Sequence, residues 1–425
     1  MNSSALQHST WPIEQIRRCF PGLQRLHRDR TAAFFDGPAG SQVPESVADA
    51  VAHYLKFTNC NRGAAFDTAR ESDALLSAAH QTVADFLGTD DPDCVIFGPN
   101  MTSLTLHLAQ ALSQTWKTGD EILLTQLDHD ANVSPWVLAA KQAGAVVRHA
   151  PVHLEDGTLN FNAWKDLLSE RTRFAAFGYA SNLTGTINPV KQMIDLARQA
   201  GALTFIDAVH YAPHGRINVR DLACDFLACS AYKFFGPHEG ILWGRRELLE
   251  SLSPWKLRPS PNSLPGRWMT GTQSHEAIAG TAAAVEYLAA ISAWLPTGSI
   301  PPNATRSQKL DAVFTHLMHY EQSLSAEFIA GLTSIPGIRI HGICENSRVQ
   351  QRVPTFSWTF PELHPRRAAE RLAEQGLFVW NGNAYALPFT EAASLEPAGV
   401  IRAGALHYNT TEEIQRLIHA LHNLQ

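Results

Sequence analysis

Between about residues 75 and 245 the chain alternates two hydrophobic patterns, and this alternation constrains the fold more than any other feature. Short runs rich in Val, Ile and Phe recur: DCVIFG (93–98), EILLTQ (121–126), AVVRHA (145–150), RFAAFGY (173–179), ALTFIDA (202–208), DFLACSA (225–231) and GILWG (240–244). Apolar runs of this length predict strands. Segments with helical spacing lie between them, such as PWVLAAKQAG and VKQMIDLARQAG, each closing near a glycine. Strands alternating with helices predict an α/β fold whose mostly parallel, seven-stranded sheet is covered on both faces. Ligands in such sheets sit beyond the carboxyl ends of the strands, so functional residues are expected where the runs end.

The pattern changes after residue 294. LPTGSIPPNAT (295–305) reads as a proline-rich loop, and Leu310, Val313, Phe314, Leu317, Met318 and Leu324 then form the apolar stripe of a long helix. Short strands around 337–341 and 355–360, a helix at about 364–376 and a closing helix from Thr411 make a smaller α+β unit. The expected organisation is an N-terminal segment over 1–30 packing with the small domain, a large domain over 31–294 and a small domain over 295–425. A chain of 425 residues, 45% of them hydrophobic, can bury cores of that size. Its net charge of −6 is dispersed, with no basic stripe, which argues against nucleic acid as a partner. The first twenty residues carry no apolar h-region, and no run of eighteen apolar residues stands out. Neither a signal peptide nor a membrane span is therefore expected. The six cysteines (Cys19, Cys60, Cys94, Cys224, Cys229 and Cys344) form no CxxC pair, as expected of reduced thiols in a cytoplasmic protein.

Residues able to do chemistry gather in a few places. In SAYKFFGP, Lys233 stands among Ala231, Tyr232, Phe234 and Phe235. Such a lysine either snorkels to water or loses its charge, because burying an unpaired ammonium is costly. A neutral lysine amine can form a Schiff base with an aldehyde. Asp207 ends the run TFIDA, where a carboxylate either caps the following turn or pairs with the pyridinium nitrogen of pyridoxal phosphate. In FGPNMTSLTLHLAQAL (97–112) a strand, a turn and a helix start follow one another. The first-turn amides and the Thr102 hydroxyl suit a phosphate, or an ordinary cap. His210 and His214, four apart, and the run Asp128-His129-Asp130 admit a metal reading, but the chain has no HExxH and His210 shares its strand end with Asp207. No metal site is expected.

The whole order resembles a known family. Asn100–Thr102, His129 in LDHDANVSPW, Asn182 in ASNLTGTINPV, Asp207 and His210 in FIDAVHYAPHG, Lys233 in SAYKFFGP and Gly271-Thr272 in RWMTGT resemble the class V aminotransferases, pyridoxal phosphate enzymes of fold type I. Within them the chain is most similar to the cysteine desulfurases and a desulfurase-like subfamily, from FFDGPAGSQVP (34–44) to HYNTTEEIQRL (407–417). The resemblance implies that Lys233 holds pyridoxal 5'-phosphate and shuttles a proton, that Asp207 contacts the pyridine nitrogen and that His129 stacks on the ring. His210 falls where desulfurases usually carry glutamine, near the phenolic oxygen, and Asn182 lies close by or at the substrate carboxylate. Asn100, Met101, Thr102, Ser230 and Tyr232 are implied to hold the phosphate, with Tyr232 in place of the usual histidine. Thr272 is implied to reach the phosphate of a partner subunit, hence a homodimer with shared sites. Arg402, in VIRAGALHYNT, matches the arginine that binds the substrate α-carboxylate, and Arg62, in NCNRGAAF, matches a second arginine near the site mouth.

One position departs from that family. Desulfurases carry a loop cysteine whose thiolate takes up the substrate's sulfur. Aligned with that loop, WNGNAYALP (380–388) places Tyr385 at the cysteine's position, as a phenolic acid or a pocket wall. The reaction expected on an amino-acid substrate is then loss of a leaving group from Cβ, with a cysteine conjugate cleaved at its C–S bond foremost. Transamination, epimerisation or racemisation, and desulfuration through another cysteine use the same cofactor, and fold does not choose among them. A dimeric scaffold that keeps its cofactor for stability is the non-enzymatic alternative.

Overall fold

The computed structural model describes residues 11–424, and each of the seven apolar runs forms a strand. They are β1 (Val95–Gly98), β2 (Glu121–Thr125), β3 (Val146–Ala150), β4 (Thr172–Gly178), β5 (Leu203–Asp207), β6 (Phe226–Ser230) and β7 (Gly240–Gly244). They join one sheet in the order β1-β7-β6-β5-β4-β2-β3. Strands β3, β2, β4, β5 and β6 run parallel, and β7 lies antiparallel to both β6 and β1. Every residue of β1, β2, β6 and β7 is buried, which is why these strands read as continuous apolar runs. Edge strand β3 is mostly exposed and carries Arg148, a charge that discourages edge pairing.

Helices cover this sheet. The helix α1 (Asp67–Leu87), α2 (Met101–Ser113), α3 (Ser134–Ala143), α4 (Val190–Gln199) and α5 (His275–Ala290) alternate with or follow the strands. Helix α2 packs on β7 and β6, and α4 on β5 and β4. By length and composition alone the run His275–Trp294 could cross a membrane. It is mostly buried, however, and α5 packs against α1 and Glu45–His53, as a core helix does.

The C-terminal part builds a four-stranded antiparallel sheet from β8 (Arg339–Ile340), β9 (Thr355–Thr359), β10 (Trp380–Gly382) and β11 (Val400–Gly404), in the order β8-β9-β11-β10. Beside it lie α6 (Arg306–Thr333), α7 (Pro365–Ala373) and α8 (Thr411–His422). Capping boxes at Thr305/Gln308 and Thr410/Glu413 start α6 and α8. Along α6 the expected stripe is buried at Leu310, Val313, Phe314, Leu317 and Leu324, whereas Met318 is 40% exposed. Met318 directly follows Leu317 and so points about 100° away from it. Upstream, Ala33–Phe34 pairs in parallel with Leu377–Phe378, and Asp36 bridges Gly404.

Candidate active site

The sheet brings one row of loops to a common edge. Because β1, β2, β4, β5 and β6 point the same way, the residues following each strand meet there: Asn100–Thr102, Asp128–His129, Ala180–Asn182, Asp207–His210 and Ser230–Lys233 line one pocket. Strand β7 enters at the same edge, where Gly240 pairs with both Ser230 and Gly98. A Cβ on Gly240 would lie 2.3 Å from the Asn100 backbone, so glycine lets the start of α2 close onto the pocket.

Lys233 lies in a 3₁₀ turn that leaves β6, and its Nζ donates to the Pro38 carbonyl while standing 5.1 Å from the Tyr232 ring centre. Burial, aided by the positive Arg402, pulls its ammonium down to about 7 against the pull of Asp207. The amine is thus substantially neutral near pH 7. Asp207 ends β5, with Oδ1 accepting the Val209 amide at 2.9 Å. Burial raises its carboxyl to about 6, with the Val209 amide and Lys233 opposing.

Asp128 was read from sequence only as a possible metal ligand, and the structure makes it a member of the pocket. It is fully enclosed, bonded to the Thr125 hydroxyl and, at 2.9 Å, to Asn132 Nδ2, whose Oδ1 accepts from the Trp136 indole at 2.9 Å. Burial holds its carboxyl up at about 7, reinforced by the charge of Asp207. The clue lay in the i, i+4 spacing of Asp128, Asn132 and Trp136, a polar ladder with no role on a solvent-facing turn. The other side chains of the metal reading are committed elsewhere. Asp130 accepts from Ser134 Oγ at 2.8 Å, His210 Nε2 bonds Thr355 Oγ1 at 3.0 Å, and His214 Nδ1 donates to Glu321 at 2.9 Å.

His129 Nδ1 accepts the Ala131 amide at 3.0 Å, and burial beside Lys233 and Arg402 lowers the ring to about 4. It is therefore a neutral, flat surface at physiological pH. His210 is driven well below the ordinary range by complete burial and the neighbouring His214. At the start of α2 the Asn100 side chain caps the Ser103 amide at 2.9 Å, and the Met101 amide donates to Ser230 Oγ at 3.3 Å. The first turn of a 13-residue helix keeps further amides without intrahelical acceptors, so this end favours an anion. Tyr232 stacks on His238 at 5.1 Å.

The small domain closes the site. Arg402, in β11, is buried, donates Nη1 to the Asn182 carbonyl at 2.9 Å, and has its Nε without a partner. Burial lowers its guanidinium to about 10, so it stays charged. Asn182 Nδ2 donates to the Ala384 carbonyl at 2.8 Å, while its buried Oδ1 has no partner. Tyr385 is 71% exposed, lies at φ 58°, and stacks on His129 with centroids 5.5 Å apart and planes at 21°. Its carbonyl accepts the Asp130 amide at 2.7 Å.

Two expected residues fall outside this pocket. Arg62 is exposed, binds Asp73 at 3.0 Å, and shares with Thr272 a separate cavity of about 470 Å³. Neither lines the Lys233 pocket of its own chain.

The donor set fits pyridoxal phosphate. A lysine amine neutral near pH 7, a strand-end carboxylate with one oxygen bonded, an anion-binding helix start and unpartnered buried groups on Asn182 and Arg402 match an aldehyde, a pyridine nitrogen, a phosphate and an amino-acid substrate. The family profile described as Aminotransferase class-V matches residues 33–294 and 309–417. A cysteine desulfurase of Synechococcus elongatus is 31% identical over 97% of this chain, which spans 64% of that relative's length. The aminotransferase-like protein FGM3 of Gibberella zeae is 31% identical over 98% of this chain and 99% of its own. The structure of the cysteine desulfurase CsdA, in its S-sulfonic acid form, from Escherichia coli has a TM-score of 0.81 at 26% identity, covering 96% of this chain and 97% of that one. By fold, site and sequence alike, the chain belongs to the class V aminotransferases and is a pyridoxal phosphate-dependent enzyme.

Proposed function

We propose that this enzyme removes a leaving group from Cβ of an amino acid, with a cysteine conjugate cleaved at its C–S bond as the leading case. The observation that carries this reading is Tyr385, which occupies the site mouth against His129 where sulfur transfer would need a thiol. No cysteine lines either part of the cavity among the described residues. Burial raises the thiols of Cys19, Cys94, Cys224, Cys229 and Cys344, the reverse of what activates a sulfur nucleophile.

Bound pyridoxal phosphate supplies an aldehyde and an electron sink that makes the Cα–H of an amino acid acidic. This chain's residues do the rest. Arg402 grips the α-carboxylate through the guanidinium edge that Asn182 leaves free, which orients Cα–H toward Lys233. Neutral Lys233 takes the Cα proton, since its lowered pKa leaves a lone pair available near pH 7. Asp207 would hold a proton at the cofactor's ring nitrogen, and the start of α2 with Ser230 and Tyr232 would hold its phosphate. The C–S electrons leave on sulfur, which departs as a thiol once protonated. Hydrolysis of the remaining fragment consumes one water and yields pyruvate and ammonium.

Arg62 and Thr272, gathered in a cavity away from their own Lys233, support a two-fold dimer in which each chain completes its partner's site. The cysteine desulfurase names of the relatives favour a second reading, desulfuration through another cysteine. Mass spectrometry of products from the holoenzyme with L-cysteine and S-substituted cysteines separates the two. Pyruvate with a released thiol is the expected result. Alanine with transferred sulfur overturns it, and neither product directs attention to transamination or epimerisation.

A further inference from the structure

Strand β4 lies between β2 and β5, and it closes on a glycine, Gly178, that pairs in register with Asp207. Nothing in the backbone asks for glycine there, because its φ lies outside the left-handed region. The side chain is missing for another reason. A Cβ on Gly178 would stand 3.0 Å from Asp128 Oδ1 and 4.0 Å from the Asp207 carbonyl oxygen. Asp128, three residues beyond β2, thus lies against bare backbone beside Asp207.

That carboxyl is built to stay where it is. The Trp136 indole can only donate, so Asn132 Oδ1 faces it and Asn132 Nδ2 is left to face Asp128 Oδ1. Asp128 Oδ2 meets the Thr125 hydroxyl, which also accepts the Leu127 amide at 3.1 Å. Asp128 and Asp207 are 3% and 7% exposed, and both line the pocket of Lys233. Lys233, only partly charged near pH 7, is the cation that faces Asp207. Burial keeps the Cys229 thiol, the Tyr232 phenol and the His129 ring neutral at that pH. The charged Arg402 faces Tyr232 and Asp36. Two carboxyls held together out of water, with so little positive charge against them, cannot both ionise freely. Their titration follows suit, near 7 for Asp128 and near 6 for Asp207.

We infer that Asp128 and Asp207 act as one carboxyl pair across Gly178, which carries a single proton in the cofactor-free enzyme and releases it when a protonated ring nitrogen stands against Asp207. For its second half the inference rests on the assignment of Asp207 to that nitrogen. The bond that breaks is the O–H of Asp128, and its proton leaves for solvent. The two negative charges left behind hold the positive ring nitrogen more firmly than one would. Asp128 is thus a positioning residue that acts through Asp207, and Gly178 is the gap that lets it do so.

The test has two stages. In the cofactor-free protein, difference infrared spectroscopy of wild type against Asp128→Asn follows the protonated Asp128 carboxyl as pH rises. The same comparison in an Asp207→Asn background should place its midpoint lower by about one pH unit, the signature of coupled sites. An unchanged midpoint would overturn the pair. In the second stage, calorimetry in buffers of different ionisation enthalpy counts the protons exchanged when pyridoxal phosphate binds. Wild type should release about half a proton more per site than Asp128→Asn at pH 6.5. Equal release would overturn the inference. The 1-deaza analogue of the cofactor, with carbon in place of the ring nitrogen, should abolish that difference. If the midpoint shifts in the first stage but analogue and cofactor behave alike in the second, the pair stands and the assignment of Asp207 to the ring nitrogen falls.

Discussion

The floor of the site and its mouth are held by different means. Lys233, Asp207, Asp128 and His129 leave the ends of strands whose neighbours are buried on both faces, and each is tied by hydrogen bonds into the sheet edge. The segment 382–385 carries three consecutive-region positive φ angles, at Gly382, Ala384 and Tyr385, and docks on the large domain through the Ala384 and Tyr385 carbonyls. A sheet edge over-determines its side chains, whereas a loop seated by two carbonyls can change its residues without disturbing the core. On the reading proposed above, the chemistry common to the family belongs to the floor, and the choice of reaction and substrate to the mouth.

Substitutions can break that contrast or sharpen it. At the floor, Lys233→Ala should reduce turnover by about 10⁴-fold, near the upper range for loss of a positioned acid–base group. Residual activity within tenfold of wild type would mean another group moves the proton, and a steady-state assay decides it. Arg402→Ala should raise KM by roughly 10- to 100-fold, the loss of charge-assisted hydrogen bonds, with a smaller change in kcat. Arg402→Lys should recover only part of this, because a lysine cannot present a planar fork.

A third test concerns stability in the cofactor-free protein. Asp128 and Asp207 titrate at about 7 and about 6 instead of 3.8, so the folded state binds protons that the unfolded state has released between those values. Stability contributed by these groups is therefore lost as pH rises from about 4 to about 7, and the penalty persists above that window. Lys233 acts in the opposite sense: its folded value near 7 lies below 10.5, so stability rises with pH between the two. Asp128→Asn should stabilise the apoenzyme by on the order of 2 kcal/mol at pH 8 and little at pH 4, read by denaturant unfolding. An equal effect at both pH values would show that Asp128 is not held protonated by burial.

At the mouth the smallest effects are expected. Tyr385→Phe should keep kcat/KM within about threefold for an uncharged conjugate, since the ring stacks on His129 with or without its hydroxyl. Tyr385→Ala should lose roughly 3- to 10-fold, the worth of that stacked contact. A loss in Tyr385→Phe as large as in Lys233→Ala would make the phenol an acid and move chemistry into the mouth.

Much of the floor was legible before the fold was known. The seven strands announced themselves because a sheet buried on both faces needs unbroken apolar runs, and Lys233 and Asp207 stood where two of them end. Strand β10 escaped because Trp380–Gly382 is short and half-exposed and carries no alternation to read, and β11 because Arg402 interrupts the apolar run of Val400–Gly404. Asp128 escaped because its neighbours His129 and Asp130 suggested a cluster, while its partners Thr125 and Asn132 bond it from one side. Met318 was assigned to a buried stripe that its helical angle does not reach.

By itself, then, the sequence determined which residues must leave water and which must pair, because those costs are local: a lysine among aromatics, an aspartate closing an apolar run. What surrounds them was decided only by the tertiary structure. Arg402 meets Asn182 across 220 positions of chain, and Tyr385 meets His129 across the boundary between two sheets. Such meetings depend on how the sheets pack, and packing is a property of the whole buried surface, which no single run of residues encodes.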